Sequence, residues 1–136
     1  KKARLQGALD RLAETFGPGI LAVVDRIIVG DNITQSALRS TQYEIIPYAS
    51  LIKEDGETVF LLDVDAFRNE QLLYLVLEHE FRHSIAHLLP GVNTAVEELY
   101  TNYMTLKTAL NMMEKGELDL KELLQILPKL GVDEKF

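Results

Sequence analysis

Two histidines and a glutamate stand at a spacing that could carry out hydrolytic chemistry, in the run His79-Glu80-Phe81-Arg82-His83. The run matches the pattern HExxH, in which histidines four residues apart lie on one face of a helix and can present their imidazoles to one cation. Neutral imidazole is a good ligand for zinc. Glu80 follows the first histidine, so its carboxylate can reach a water that the ion makes acidic without binding the ion itself. The pattern predicts a zinc site with Glu80 as general base and acid.

The surrounding sequence favours this interpretation. The stretch from Glu70 to Leu89 begins with residues that are apolar nearly all round, which is typical of a buried helix. Burying two imidazoles and a carboxylate on that helix is unfavourable unless something satisfies them, and a metal ion would do so. The alternative is a coincidental match, in which His79 and His83 are hydrogen-bonded core residues without a metal.

A third protein ligand is expected, because catalytic zinc sites usually have three. His87 continues the row of histidines, but each four-residue step along a helix advances about 6 Å. A third histidine in that row cannot converge on the same ion as the first two. We therefore expect His87 at the rim of the site.

The better source of the third ligand is the next helix, which a short connection makes an antiparallel neighbour. Its first turns carry Glu97 and Glu98, at nearly the level of His83. Glu98 is followed four residues later by Asn102, whose amide could orient a ligand histidine. We favour Glu98 as the third ligand and keep Glu97 as the fallback.

The whole chain, residues 1–136, is expected to form one α+β domain. We predict a small, about three-stranded sheet packed on the HExxH helix and on an antiparallel helix bearing the glutamates, with an N-terminal helix and a C-terminal helical segment. In order, the expected elements are a helix over 2–16, a strand over 20–30, a polar connection over 31–40, strands over 43–53 and 57–64 joined by a hairpin turn, the HExxH helix, a helix to Met113, and a short helix over 120–127. Five residues of the second long helix are predicted to form its inward stripe: Leu99, Tyr103, Leu106, Leu110 and Met113.

Composition narrows the classes of partner. The 136 residues carry a formal charge of −7, with no cluster of lysine and arginine that would follow nucleic acid or an anionic membrane. A peptide or protein substrate is the better expectation, and a homo-oligomer is left open. The chain has no cysteine, which removes thiolate ligands and fits a reducing compartment, so a cytoplasmic location is expected.

The order of these features resembles the gluzincin metallopeptidases. Strands are followed by a helix with HExxH at 79–83 and by a helix with ExxxN at 98–102, and the compact size resembles the minimal members called minigluzincins. The likeness to the ImmA/IrrE-type peptidases is looser. The resemblance covers about residues 41–110.

The resemblance implies zinc held by His79, His83 and Glu98, with Glu80 as general base and acid. It also implies a substrate lying extended along an edge strand of the sheet. The alternative function is a non-catalytic regulatory or protein-binding module with a structural or vestigial metal site.

Two questions stay open at this point. The donor that stabilises the oxyanion of the reaction could be Tyr100, Tyr103, Arg82 or His87. The segment from Gly116 to Phe136 either packs on the core or, as the minimal family members imply, keeps the enzyme latent by blocking its cleft.

Overall fold

The computed structural model describes residues 2–31, 48–88, 90–91 and 93–130. It shows the expected α+β architecture, a small mixed sheet with helices packed against it. The helices are α1 (Lys2–Phe16), α2 (Glu70–Leu88), α3 (Thr94–Glu114) and α4 (Leu120–Ile126), and short 3₁₀ helices span Pro18–Val23, Val64–Phe67 and Leu127–Leu130. The strands are β1 (Arg26–Gly30), β2 (Ala49–Glu54) and β3 (Glu57–Asp63).

The sheet has the order β1-β3-β2, with β1 parallel and β2 antiparallel to β3. The predicted hairpin is present, and its turn is made by Asp55 and Gly56, both at positive φ (51° and 81°). A two-residue turn of that kind matches the twist of the strands it joins. The sheet therefore places β3 in the centre and β2 at an edge.

The strand predicted over 20–30 is shorter than expected. Only Arg26–Gly30 of the stretch 20–30 is a strand, because Pro18 begins a 3₁₀ helix that runs to Val23. The other strand, expected from residue 43, begins at Ala49 in the structure. Residues 43–47 and most of the expected polar connection, 32–40, lie outside the described residues.

The centre of the core lies between β3 and α2. Phe60 and Phe81 meet edge to face with ring centroids 4.9 Å apart, and α1 covers α2 from another side with Ala8 and Leu12. Every residue from Leu72 to His79 is buried. The prediction of a buried HExxH helix is thus confirmed, and the motif begins where the apolar part of the helix ends.

The orientation predicted for α3 is wrong for three of the five residues of its stripe. Leu99, Tyr103 and Leu110 are 60%, 59% and 54% exposed and face outward, whereas Leu106 and Met113 are half-buried. The inward face carries Glu97, Thr101, Asn102, Thr105, Ala109 and Met112. The physical reason is that this face lies against the polar part of α2, where small and hydrogen-bonding side chains are needed opposite the histidines.

The C-terminal segment packs on the core as far as the structure describes it. Leu118, Leu123, Ile126 and Leu130 are buried members of the core. The segment meets the start of α2, where Leu72 and Leu118 line one small cavity. On a helix, Leu72 lies about 16 Å before His83. The described part of the segment thus packs on the core, residues 131–136 lie outside the described residues, and the latency interpretation stays a prediction. Among the described helices, none is both long and apolar enough to cross a membrane.

Candidate metal centre

His79 and His83 are brought together on the side of α2 that faces α3. Their ring centroids are 4.9 Å apart and their planes are inclined by 75°. His79 is only 2% exposed, and His83 is half-buried. The expected pair of neighbouring imidazoles is present, and its chemistry depends on which nitrogen of each ring carries the proton.

Thr105 determines the proton position on His79. Its Oγ1 lies 2.7 Å from Nδ1 of the ring and donates its own proton to the backbone carbonyl of Thr101, at 2.9 Å. A hydroxyl has one proton, so towards the ring it can only accept. The proton of neutral His79 is therefore on Nδ1, and Nε2 keeps its lone pair.

Glu97 determines the proton position on His83 in the same way. Its Oε1 lies 2.8 Å from Nδ1 of the ring, and an ionised carboxylate can only accept. In the neutral ring the proton is therefore on Nδ1, and Nε2 keeps its lone pair. This arrangement, in which a metal-ligating histidine donates its other N–H to a carboxylate or another oxygen, is the usual one around zinc.

Glu98 approaches the bare nitrogen of His83, with Oε1 3.9 Å from Nε2. Two ligands at about 2.0–2.1 Å from one zinc, at a tetrahedral angle, are roughly 3.3 Å apart. A shift of about half an ångström in the half-exposed side chain of Glu98 closes that difference. As the described side chains stand, no group of three or more His, Cys, Asp or Glu is close enough together to hold a metal ion. The geometry nevertheless distinguishes the two glutamates, since Glu97 contacts Nδ1 and Glu98 faces Nε2.

Burial sets the charge state of two groups in the motif. Desolvation, helped by the nearby His83, lowers the pKa of His79 to about 3, so its ring is neutral as a ligand must be. Desolvation also raises the pKa of Glu80 to about 7; His83 opposes this rise and Glu98 adds to it. A carboxyl with a pKa near neutrality is suited to accept and return a proton.

A second polar cluster lies beside the motif and was missed by the sequence analysis. Glu78 is buried, accepts from Thr108 and pairs with Arg82 at 3.3 Å. The guanidinium of Arg82 also donates to the hydroxyl of Tyr100 and lies over the ring of Phe16, 4.7 Å from its centroid. The cluster thereby joins α1, α2 and α3 next to the histidines. Its only signal in the sequence was the row of threonines in α3.

The remaining expected site residues take different positions. Asn102 is buried, but its Oδ1 has no described hydrogen-bond partner, so the orienting role expected of it belongs to Thr105 and Glu97. Among the candidate oxyanion donors, Arg82 is already paired with Glu78, and Tyr103 faces outward. Tyr100 accepts from Arg82 and keeps its own hydroxyl proton. The side chain of His87 lies outside the described residues.

Comparison of the chain with family models, with curated proteins and with solved structures found no match.

Replacing Thr105 by valine should lower the affinity for zinc about 10- to 100-fold, because the ring of His79 loses the partner that fixes its tautomer. Thr101→Val is the matched control: that side chain is equally buried, but its Oγ1 has no described partner. Competition titration against a zinc chelator measures both variants. Equal affinities in the two variants would contradict the role given to Thr105.

Metal-free Glu80→Gln should be more stable than the unmodified chain at pH 8. Because burial raises the pKa of Glu80 from 4.5 to about 7, the folded chain binds this proton more tightly, and stability falls as the pH rises through that range. The difference corresponds to roughly 3 kcal/mol at most. It should be fully present above pH 7 and vanish near pH 4.5. Urea unfolding in the presence of a chelator measures it, with Glu114→Gln on the exposed side of α3 as the control. A Glu80→Gln variant that is less stable at pH 8 would contradict this account.

Proposed function

We propose that this chain is a zinc-dependent peptidase of the gluzincin type, with zinc held by His79, His83 and Glu98. The observation that carries the proposal is the pair of hydrogen bonds made by the two Nδ1 atoms. They leave a lone pair on Nε2 of each histidine, and a carboxylate stands 3.9 Å from one of those nitrogens. The donor set, two imidazoles and one carboxylate, is that of many catalytic zinc sites.

Glu80 is proposed as the residue that moves the proton. When bound, zinc lowers the pKa of a coordinated water towards about 7 and polarises the substrate carbonyl. Glu80 takes the proton of the attacking water and delivers it to the nitrogen of the leaving amine. The raised pKa of this carboxyl supports the assignment, since it lets the group bind and release a proton near pH 7.

An extended peptide is the proposed substrate. Among the described strands β2 pairs only with β3, and we propose that the peptide adds to the other edge of β2 through main-chain hydrogen bonds. The absence of a basic cluster also favours a peptide over nucleic acid or an anionic membrane. The lack of cysteine favours a reducing compartment such as the cytoplasm.

The rival is a non-catalytic module with a structural or vestigial metal site. It is favoured by one observation, that the described acidic and histidine side chains do not stand as a complete ligand set. Against it, a structural zinc site needs four protein ligands, and Glu97 is already the acceptor for Nδ1 of His83. The non-catalytic alternative also does not explain why the carboxyl of Glu80 has a raised pKa.

Cleavage of a mixed pool of quenched fluorescent peptides by the zinc-loaded chain tests the proposal. Glu80→Gln should still bind one zinc per chain but lose about 10²- to 10⁴-fold in cleavage rate, because it removes the proton carrier and not a ligand. Glu114→Gln, an exposed carboxylate on α3, should behave as the unmodified chain.

Three outcomes separate the interpretations. Chelator-sensitive cleavage that depends on Glu80 supports the peptidase. Zinc binding without any cleavage supports the rival. Chelator-sensitive cleavage by the pure chain that persists at full rate in Glu80→Gln would contradict the role proposed for Glu80.

A further inference from the structure

We propose that the outward side of α3 is a self-association surface, on which two copies of this chain pair through antiparallel α3 helices. This surface, the outer face, consists of five apolar side chains that are about half exposed or more: Val96, Leu99, Tyr100, Tyr103 and Leu110. The pairing requires neither zinc nor catalysis, so it stands or falls separately from the proposed function.

Apolar exposure in this molecule is concentrated on α3. Of the eight large apolar side chains that are exposed in the described part of the chain, five are on this one helix. Single exposed apolar residues are common on protein surfaces, but a contiguous patch of them marks an interaction site. The inward side of α3 contacts α2, and the outer face is assigned to a partner.

The spacing on the outer face is that of a helix that pairs with another helix. Val96, Tyr103 and Leu110 are seven residues apart, so they lie nearly in line along α3. Leu99 and the half-buried Leu106 follow the first two of these by three residues. Apolar residues at alternating steps of three and four form the seam between paired helices. The occupant that fits the outer face is therefore a second amphipathic helix.

The charge of the outer face favours a second copy of this chain as the occupant. The chain as a whole has a formal charge of −7, so two copies repel each other on average. Between residues 95 and 114, however, the exposed charged side chains on this side of α3 are one cation, Lys107, and one anion, Glu114. A face without net charge does not attract a basic partner, and it is where two copies of an acidic chain meet with the least repulsion.

An antiparallel arrangement makes the outer face complementary to itself. The face extends about 21 Å from Val96 to Leu110, with Tyr103 at its midpoint. A twofold axis at Tyr103 sets Val96 against Leu110 of the second copy. Lys107 then lies within one residue of the level of Tyr100 of the second copy, and at the same edge, so its ammonium group can lie over that ring. The symmetry makes this contact twice, and the positive end of each helix dipole lies beside the negative end of the other.

The pairing leaves the candidate metal centre open. Glu98 is five residues from Tyr103, which places it about 140° around the helix from the middle of the outer face. His79 and His83 contact the inward side of α3, through Thr105 and Glu97. Zinc binding and self-association can therefore be measured independently.

Sedimentation of the complete chain over a range of concentrations is the first experiment. Because one helix face is smaller than the roughly 800 Å² per partner of a standard interface, we expect a dimer with a Kd of about 10 µM. Tyr103→Glu should raise that Kd at least about 100-fold, since it sets two carboxylates against each other at the axis. Leu124→Glu is the matched control, the same kind of change at a similarly exposed apolar residue of α4, and should leave the Kd unchanged. A chain that stays monomeric throughout, or a dimer that survives Tyr103→Glu, would overturn the proposal.

Disulfide cross-linking tests the direction of the pairing. The chain has no cysteine, so each cysteine introduced at an exposed position reports only its own contacts. Tyr103→Cys should form a disulfide-linked dimer under mild oxidation, because the residue meets its own copy at the axis. Val96→Cys should link to Leu110→Cys in an equimolar mixture but not to itself. Failure of Tyr103→Cys to cross-link would overturn the pairing, and efficient linking of Val96→Cys to itself would overturn its antiparallel direction.

Discussion

An imidazole ring has two nitrogens. In both histidines of the motif, Nδ1 is the nitrogen that the fold hydrogen-bonds to a side chain of α3. Nδ1 of His79 donates to Thr105, and Nδ1 of His83 donates to Glu97. Thr105 accepts from the ring while it donates its proton to a backbone carbonyl, and a carboxylate has no proton to give. With both Nδ1 atoms hydrogen-bonded, the lone pair of each neutral ring is on Nε2. Both acceptors, Thr105 and Glu97, come from α3, and this requirement explains much of the packing of α3 against α2.

That requirement shapes α3. A helix of a small domain normally turns its apolar stripe to the core, but here the inward face must carry the acceptors for the histidines and the partner of Glu78. Its apolar contact with the core is reduced to a few residues such as Ala109 and Met112. The buried pair of Glu78 and Arg82 then joins α2 to α3 by hydrogen bonds. The buried threonines and the desolvated Glu80 are departures from local rules of the kind expected at functional sites.

Much of the fold could be predicted from the sequence, because periodicity and turn residues report directly on local structure. The HExxH helix, the hairpin at Asp55-Gly56 and the antiparallel pair of long helices are examples. The sequence could not predict which face of α3 points to the core. It shows which residues share a face, but not which neighbouring residues that face contacts. The same limit left Glu97 and Glu98 open, since neighbours differ by about 100° around a helix. Thr105 gave only a weak signal, its place in the row of threonines in α3, because a threonine in a helix shows no distinctive pattern until its partner is known.

The most direct test of the central claim is a long-range ¹H–¹⁵N correlation spectrum of the histidine rings, recorded on the metal-free chain and during addition of zinc. The chain has three histidines, so the spectrum is simple, and His87 serves as an internal reference. The account predicts that Nδ1 carries a proton in both His79 and His83 before zinc is added. Their Nε2 signals should then shift together and stop changing at one equivalent. Protonation on Nε2 in either ring, or Nε2 signals that zinc leaves unchanged, would contradict the account.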